Sequence, residues 1–441
     1  MVKNNGRHAA GSVLIRCDAN IRIFSRVVIH FRRKFTCAFL DLALTQVFQL
    51  LCKMSAKVVT IGQLIQKCLK QAYFLPQKPS SYSKGYRFLN DKKYRMYDCP
   101  PSSLNFDRLL YPFRHLPAAG NEIPIIMECK PPEYLQQHWR RWLPAFPPPV
   151  IKSLDEGLQD DIPVVTVAPF EAIPEEKQSV HPDILYKLQL KSSLQEIGVP
   201  CPRHMDLNSV SFPCTVKANL TQGGRGNWLV KNESELSATL RQIRGVCQWQ
   251  DEIVFQEYIP GVKEVPSFQF NLHKSGELFW VGTTIGGFTS SGLTCISSSV
   301  DWNKQQEYRD LVHEEFTIPV KNYLHKHGYF GLVTFEVLIT DHGKYLIDIN
   351  PRISGDTTHL LLAPYIASEL GLKHSTVFLK NKHYNMSAEK LIEKADQNNE
   401  KGESIIVVLS TFDADKGCES YMSIFARSPE EVQHLYHQIN N

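Results

Sequence analysis

Apolar positions alternate along some stretches of the chain and recur at helical spacing in others, which predicts a mixed α/β architecture. The clearest element is a hairpin. Leu332–Ile339 and Lys344–Ile349 are rich in β-branched and aliphatic residues, with the turn residues Asp341, His342 and Gly343 between them. Upstream, Thr215–Ala218 and Trp228–Val230 read as two short strands flanking a glycine-rich loop, and Ile253–Ile259 as an apolar strand stopped by Pro260 and Gly261. His181–Gly198 carries Lys187, Leu190, Leu194 and Ile197 at helical spacing and closes on the stop signal Gly198 and Pro200. Val58–Ile61, Ile123–Met127 and Ile162–Val167 predict strands of an earlier region that also holds prolines 144 and 147–149. Ser404–Leu409 and Tyr421–Ala426 predict two more strands, followed by a helix over Pro429–Ile439. Thr283–Ser299, rich in Gly, Ser and Thr, predicts a mobile loop.

The hairpin carries chemistry. Partners across a ladder lie close, so Glu336 on the first strand faces Asp348 on the second. Alternation then puts Asp348 and Asn350 on one face. Three hard oxygen donors converge, with Arg352 just beyond. That set suits Mg²⁺, which takes one or two carboxylates and completes its octahedron with water and phosphate. The plainer alternative is a strand pair with carboxylates on a solvated face.

Lys217 sits on the strand feeding the loop Gln222-Gly223-Gly224-Arg225-Gly226, whose glycines free the backbone N–H groups to close over an anion. No Gly-Lys-Ser/Thr follows, and the loop leads to a strand, so it is neither a P-loop nor a dinucleotide fingerprint. The end of the strand at Glu257, Tyr258 and Ile259 offers backbone to an adenine edge, and Glu264 can accept from ribose hydroxyls. Lys187 and Lys191, one helical turn apart, are a solvated basic face or reach towards the phosphates.

In this order the segments resemble the ATP-grasp superfamily. The resemblance rests on Lys187 to Gly198-Val-Pro-Cys-Pro202, Val216-Lys217-Ala218 with Gly223–Gly226, Gln256–Ile259, and Glu336 with Asp348-Ile-Asn-Pro-Arg352. The intervals are similar to those of biotin carboxylase and carbamoyl-phosphate synthetase, over about residues 180–375. It implies an α/β (α+β) chain with an N-terminal α/β domain, a lid subdomain and a central antiparallel-sheet domain. It further implies that Lys187 and Lys217 contact the α- and β-phosphates of ATP, and that Gln222–Gly226 folds over the triphosphate. Glu257, Tyr258 and Ile259 would bind adenine, and Glu264 ribose. Glu336, Asp348 and Asn350 would hold Mg²⁺, with Mn²⁺ as an alternative, and Arg352 would clamp the acceptor carboxylate and the developing acyl phosphate. The implied activity is ADP-forming C–N ligation, in which a carboxylate is activated as acyl phosphate and captured by the amine of an amino acid or peptide. The alternatives are capture by a thiol or bicarbonate-derived nucleophile, or a nucleotide-binding regulator without turnover. Residues 376–441 resemble the tail of pheganomycin-type peptide ligases.

At 441 residues the chain has room for several cores. The expected division is a basic extension (1–57), an N-terminal domain (58–179), a lid (180–260), a central domain with the metal site (261–375) and a C-terminal subdomain (376–441). The net charge of +4 is uneven, because residues 1–57 hold ten basic and two acidic residues, or +8, against −4 in the remainder. That extension carries no nucleic-acid motif. Its apolar run Phe35–Cys52 is interrupted by Asp41, Thr45, Gln46 and Gln49, which favours an amphipathic or buried helix over a membrane span. A transit peptide, or a true start at Met54, are further readings of this segment. Trp139-Arg-Arg-Trp142 is expected to pack against the next domain, with a substrate-facing role as the alternative. The eleven cysteines show no Cys-x-x-Cys pair, as expected of free thiols in a cytoplasmic protein. The expected partners are small-molecule carboxylates and amines, not nucleic acid, and a homodimer is among the expectations.

Overall fold

The computed structural model describes residues 58–79, 85–89, 93–97, 105–221, 226–246, 253–289 and 295–440. The basic extension with Phe35–Cys52, and Gln222, Gly223, Gly224 and Arg225 of the glycine loop, lie outside the described residues. From Lys57 onward the chain forms one compact unit.

A four-stranded parallel sheet comes first, in the order β3–β2–β1–β4, from β1 (Tyr73–Leu75), β2 (Ile125–Ile126), β3 (Ile151–Lys152) and β4 (Val164–Thr166). Each strand is shorter than its apolar run. Val58–Ile61 is not a strand, because Thr60 caps helix α1 (Ile61–Cys68) through a reciprocal capping box with Gln63. Those two satisfied backbone donors outweigh the β-branched character of the run.

The lid is antiparallel, in the order β5–β8–β6–β7: β5 (His204–Met205), β6 (Cys214–Ala218), β7 (Asn227–Val230) and β8 (Ile253–Glu257). Its strand residues Cys214, Val216, Ala218 and Val230 pack against Leu236 and Ile243 of helix Glu233–Val246. Alternation therefore turns Thr215 and Lys217 to the opposite face.

The large sheet has nine strands, in the order β14–β13–β10–β11–β12–β15–β17–β16 with β9 beside β13. They are β9 (Val262–Glu264), β10 (Pro266–Leu272), β11 (Leu278–Phe288), β12 (Cys295–Asp301), β13 (Gly331–Thr340), β14 (Lys344–Asn350), β15 (His374–Tyr384), β16 (Ile405–Ala414) and β17 (Gly417–Ala426). Two expectations change here. Thr283–Ser299 is not a surface loop in its described parts, which are the ends of β11 and β12 inside the sheet. Its glycines serve close packing, since a Cβ on Gly287 would lie 2.3 Å from Ser297 Oγ. Residues 376–441 are not a separate subdomain either, because β15 pairs with both β12 and β17 and makes the sheet continuous.

The N-terminal and C-terminal parts share one apolar core. Helix Glu133–Trp142 supplies the join. Trp139 Nε1 donates to Val408 O at 2.8 Å, and His138 Nε2 accepts from Val408 N at 3.0 Å. His138 Nδ1 and Trp142 Nε1 meet Asp396 Oδ1 at 2.6 and 2.7 Å. The Trp139–Trp142 cluster is thus packing, and burying its indole contributes on the order of a few kcal/mol. Among the described residues no helix is long and apolar enough to cross a membrane.

Candidate nucleotide and metal site

The site forms where one face of the lid meets the hairpin β13–β14. Glu336 is directly opposite Asp348 in the ladder, and Thr334 opposite Asn350, with a register shift just after Glu336. Asp348 and Asn350 share a face, and Asn350 Nδ2 donates to Asp348 Oδ2 at 3.1 Å. From the lid, Lys217 Nζ reaches Ile347 O at 3.4 Å. The fold thus places Glu336, Asp348, Asn350 and Lys217 close together.

The predicted helix His181–Gly198 does not run through. It stops at Gln189, Leu190 is extended (ψ 136°), and a 3₁₀ segment Lys191–Ile197 follows, ending at left-handed Gly198 (φ 79°). Asn219 causes the break, because its O accepts from Lys191 N and its Oδ1 from Ser192 N, both at 2.9 Å. The reorientation exchanges the two lysines. Lys187 is half-exposed and pairs with Glu196 at 3.1 Å, away from the carboxylates. Lys191, 9% exposed, ion-pairs with Asp348 Oδ1.

The charges respond to this crowding. Burial, followed by the facing Asp348, pushes Glu336 up to about 7. Burial opposes ionisation of Asp348 as well, but contact with Lys191, backed by Lys217 and Arg352, holds it below the usual carboxylate range. Burial, with Lys191 beside it, brings the Lys217 ammonium down to about 8. Arg352 Nη1 donates to Gln189 Oε1, so the last turn of the helix aims the guanidinium.

The remaining predicted contacts are more dispersed. Glu257 N donates to Arg203 O at 3.0 Å, and Glu257 Oε1 accepts from Arg203 N at 2.9 Å, so this backbone donor is already engaged. Tyr258 and Ile259 run past the last ladder pair, Cys214–Glu257, with Tyr258 exposed. Glu264 pairs with Ile339, three residues along β13 from Glu336, and accepts from Tyr308 Oη at 3.2 Å. Gly226 closes the loop at φ 74°, its O accepting from Ala218 N at 2.8 Å. Gln189 is the residue sequence reasoning left aside, and Lys191, rather than Lys187, is the one of the two lysines that reaches the carboxylates. Only the position of Asn219, just after Ala218, could have flagged the break that brings them in.

Two carboxylates and an amide oxygen are hard donors that leave most of an octahedron to phosphate and water, which fits Mg²⁺. Among the described residues no three His, Cys, Asp or Glu side chains gather as a metal group, so this is not the donor set of a structural zinc site.

Residues 185–356 match the sequence model of the ATP-grasp domain. That stretch of the chain is an ATP-grasp domain, the class its lid, hairpin and converging lysines define. No curated protein matches the chain in sequence. Solved structures similar to it include N5-carboxyaminoimidazole synthetase from Staphylococcus aureus complexed with ADP, at 13% identity and TM-score 0.48, covering 73% of this chain and 91% of that one. The L-amino acid ligase of Bacillus licheniformis is similar at 14% identity and TM-score 0.46, covering 72% and 90%. The biotin carboxylase domain of the Hydrogenobacter thermophilus 2-oxoglutarate carboxylase, in complex with MgADP, is similar at 14% identity and TM-score 0.41, covering 72% and 73%.

Proposed function

We propose that the chain is an ATP-dependent, ADP-forming ligase that activates a carboxylate as an acyl phosphate and joins it to the amine of an amino acid or peptide. The observation that carries this reading is the convergence of Lys191 and Lys217 on the facing carboxylates Glu336 and Asp348, with Arg352 on the same strand end. Two lysines from separate elements bind the negative charge of a polyphosphate, and the carboxylates beside them would hold the accompanying Mg²⁺ together with Asn350. When bound, the metal supplies charge neutralisation at the phosphates. Tyr258 and Ile259 offer backbone to adenine, and Glu264 accepts from ribose. Lys191 takes the phosphate-binding part that the motif resemblance gives to Lys187.

Arg352 orients the substrate carboxylate for in-line attack, its planar fork matching two oxygens at once. A carboxylate oxygen bonds to the γ-phosphorus as the bond to the β,γ-bridging oxygen breaks, and ADP leaves with that electron pair. The amine nitrogen then attacks the acyl carbon, phosphate departs, and the nitrogen loses a proton. Such a site works by positioning and electrostatics and needs no covalent nucleophile of its own.

The test is a screen of amino acids and dipeptides for release of ADP and phosphate. Release that requires both a carboxylate and an amine is expected. Release indifferent to either, or none with any pair, would refute the ligase reading.

A further inference from the structure

A second cationic cluster lies where the N-terminal sheet meets the loop after Arg352. Arg114 is 5% exposed and His115 1%. The Arg114 guanidinium carbon lies 3.8 Å from the centre of the Tyr111 ring, and Lys78 Nζ lies 4.0 Å from the same ring. Among the described residues Arg114 has no carboxylate ion-pair partner. Its recorded polar contact is Nε donating to His115 Nε2 at 3.4 Å. Burial, then the neighbouring Arg114 and Lys78, hold the His115 imidazole far below its ordinary range, so the ring is neutral. With Nε2 accepting, its proton sits on Nδ1, and among the described residues that buried atom has no hydrogen-bond partner. His115 Nδ1 is therefore taken out of water without an acceptor, and the buried Arg114 guanidinium has only the neighbouring imidazole for one. Such groups are costly unless something supplies one. The face of Tyr111 offsets part of the cost for the cation but nothing for the imidazole.

The surroundings identify what is missing. Lys78 lies three residues past the end of β1, and open parallel sheets take ligands at the carboxyl ends of their strands. Gly355 lies three residues beyond Arg352 and abuts the guanidinium so closely that a Cβ there would be 3.2 Å from both Nη atoms. The cluster thus adjoins the segment just after Arg352 and presents a guanidinium and an imidazole N–H.

We propose that Arg114, with His115 Nδ1, forms a second anion subsite that receives the free α-carboxylate of the amine-donating amino acid or peptide. This carboxylate is distinct from the one Arg352 holds for activation, and the inference rests on the ligase reading above. A guanidinium fork suits a planar carboxylate. Anchoring that group fixes the amine one carbon away, so the subsite both selects α-amino acids over simple amines and aims the nucleophile.

The experiment uses the full chain with saturating Mg-ATP and a fixed carboxylate donor. The acceptor is either a free amino acid or its C-terminal amide. The wild-type chain is expected to favour the acid over the amide at least tenfold in kcat/KM. Arg114→Gln is expected to lower kcat/KM for the acid at least tenfold, through KM, and to leave the amide unchanged, so that the preference disappears. Arg114→Lys should restore part of it. The melting temperature of Arg114→Gln should hold or rise, since the substitution removes an unpaired buried charge. An unchanged acid-over-amide preference in Arg114→Gln overturns the subsite, and so does a lowered melting temperature with unaltered kinetics per folded molecule. Wild-type turnover that treats acid and amide alike overturns the subsite and leaves the ligase reading standing. Absence of carboxylate- and amine-dependent ADP release from the wild-type chain overturns the ligase reading, and the subsite with it.

Discussion

Lys191 and Asp348, 157 residues apart in sequence, form an ion pair across the junction of the 3₁₀ segment and β14. The break at Leu190 makes this possible, because a continuous helix would keep Lys191 beside Lys187. The ammonium stabilises one charge of a carboxylate pair that cannot hold two comfortably at close range. That is why Asp348 stays ionised while Glu336 is pushed up.

The pairing reverses the order of importance of the two lysines. Lys191→Ala should weaken Mg-ATP binding about tenfold or more, roughly 1.4 kcal/mol, whereas Lys187→Ala should change it little because its partner is the half-exposed Glu196. Titration calorimetry with a non-hydrolysable ATP analogue and Mg²⁺ checks this. Equal losses, or a larger loss for Lys187→Ala, would return the phosphates to the outer face of the helix.

Glu336→Gln and Asn350→Ala should each abolish turnover without unfolding the chain. In Glu336→Gln the like-charge contact with Asp348 is relieved, so the ligand-free melting temperature should not fall. Thermal melts and ADP release on the same preparation measure both. Wild-type turnover in either variant would remove these residues from the metal assignment.

His359 offers a test that does not touch the site. It is fully buried, with Nδ1 3.0 Å from Ser423 Oγ and Nε2 3.1 Å from Ser375 Oγ, and burial brings its pKa down to about 3 from the ordinary 6.5. Between those values the unfolded chain holds the extra proton. The stability from the neutral ring is therefore fully present above pH 6.5 and is lost as pH falls towards 3, by about 1.4 kcal/mol per unit. His359→Gln removes this proton and retains polar reach to both serines. Urea unfolding between about pH 4 and pH 6 should show a shallower pH slope for the variant by that amount. Identical slopes would mean that the ring charges in place.

The hairpin was legible because turn residues and strict alternation are local signals, and they alone put Asp348 and Asn350 on the face of Glu336. Lys217 was legible for the same reason, through the alternation of Cys214–Ala218. The helix break was not, since Asn219, on a different element, captures the amides of Lys191 and Ser192 and overrides a good helical period. Gly286, Gly287 and the serines of β12 read as a loop by composition, yet strands on both sides supply the ladder that composition cannot foresee. The helix at Ile61 was missed despite a signal present in the chain, the Thr60–Gln63 capping box. Arg114 stood in no motif, and its interest comes only from burial without an acid.

The account rests on transfer of the γ-phosphoryl group to a carboxylate oxygen. Once the screen supplies a substrate pair, the donor is offered with its carboxylate labelled with ¹⁸O, and the phosphate released during turnover is analysed by mass. Acyl phosphate formation predicts one ¹⁸O carried into inorganic phosphate for each amide formed, with ADP as co-product. Unlabelled phosphate alongside amide, or release of AMP and pyrophosphate instead, would contradict it.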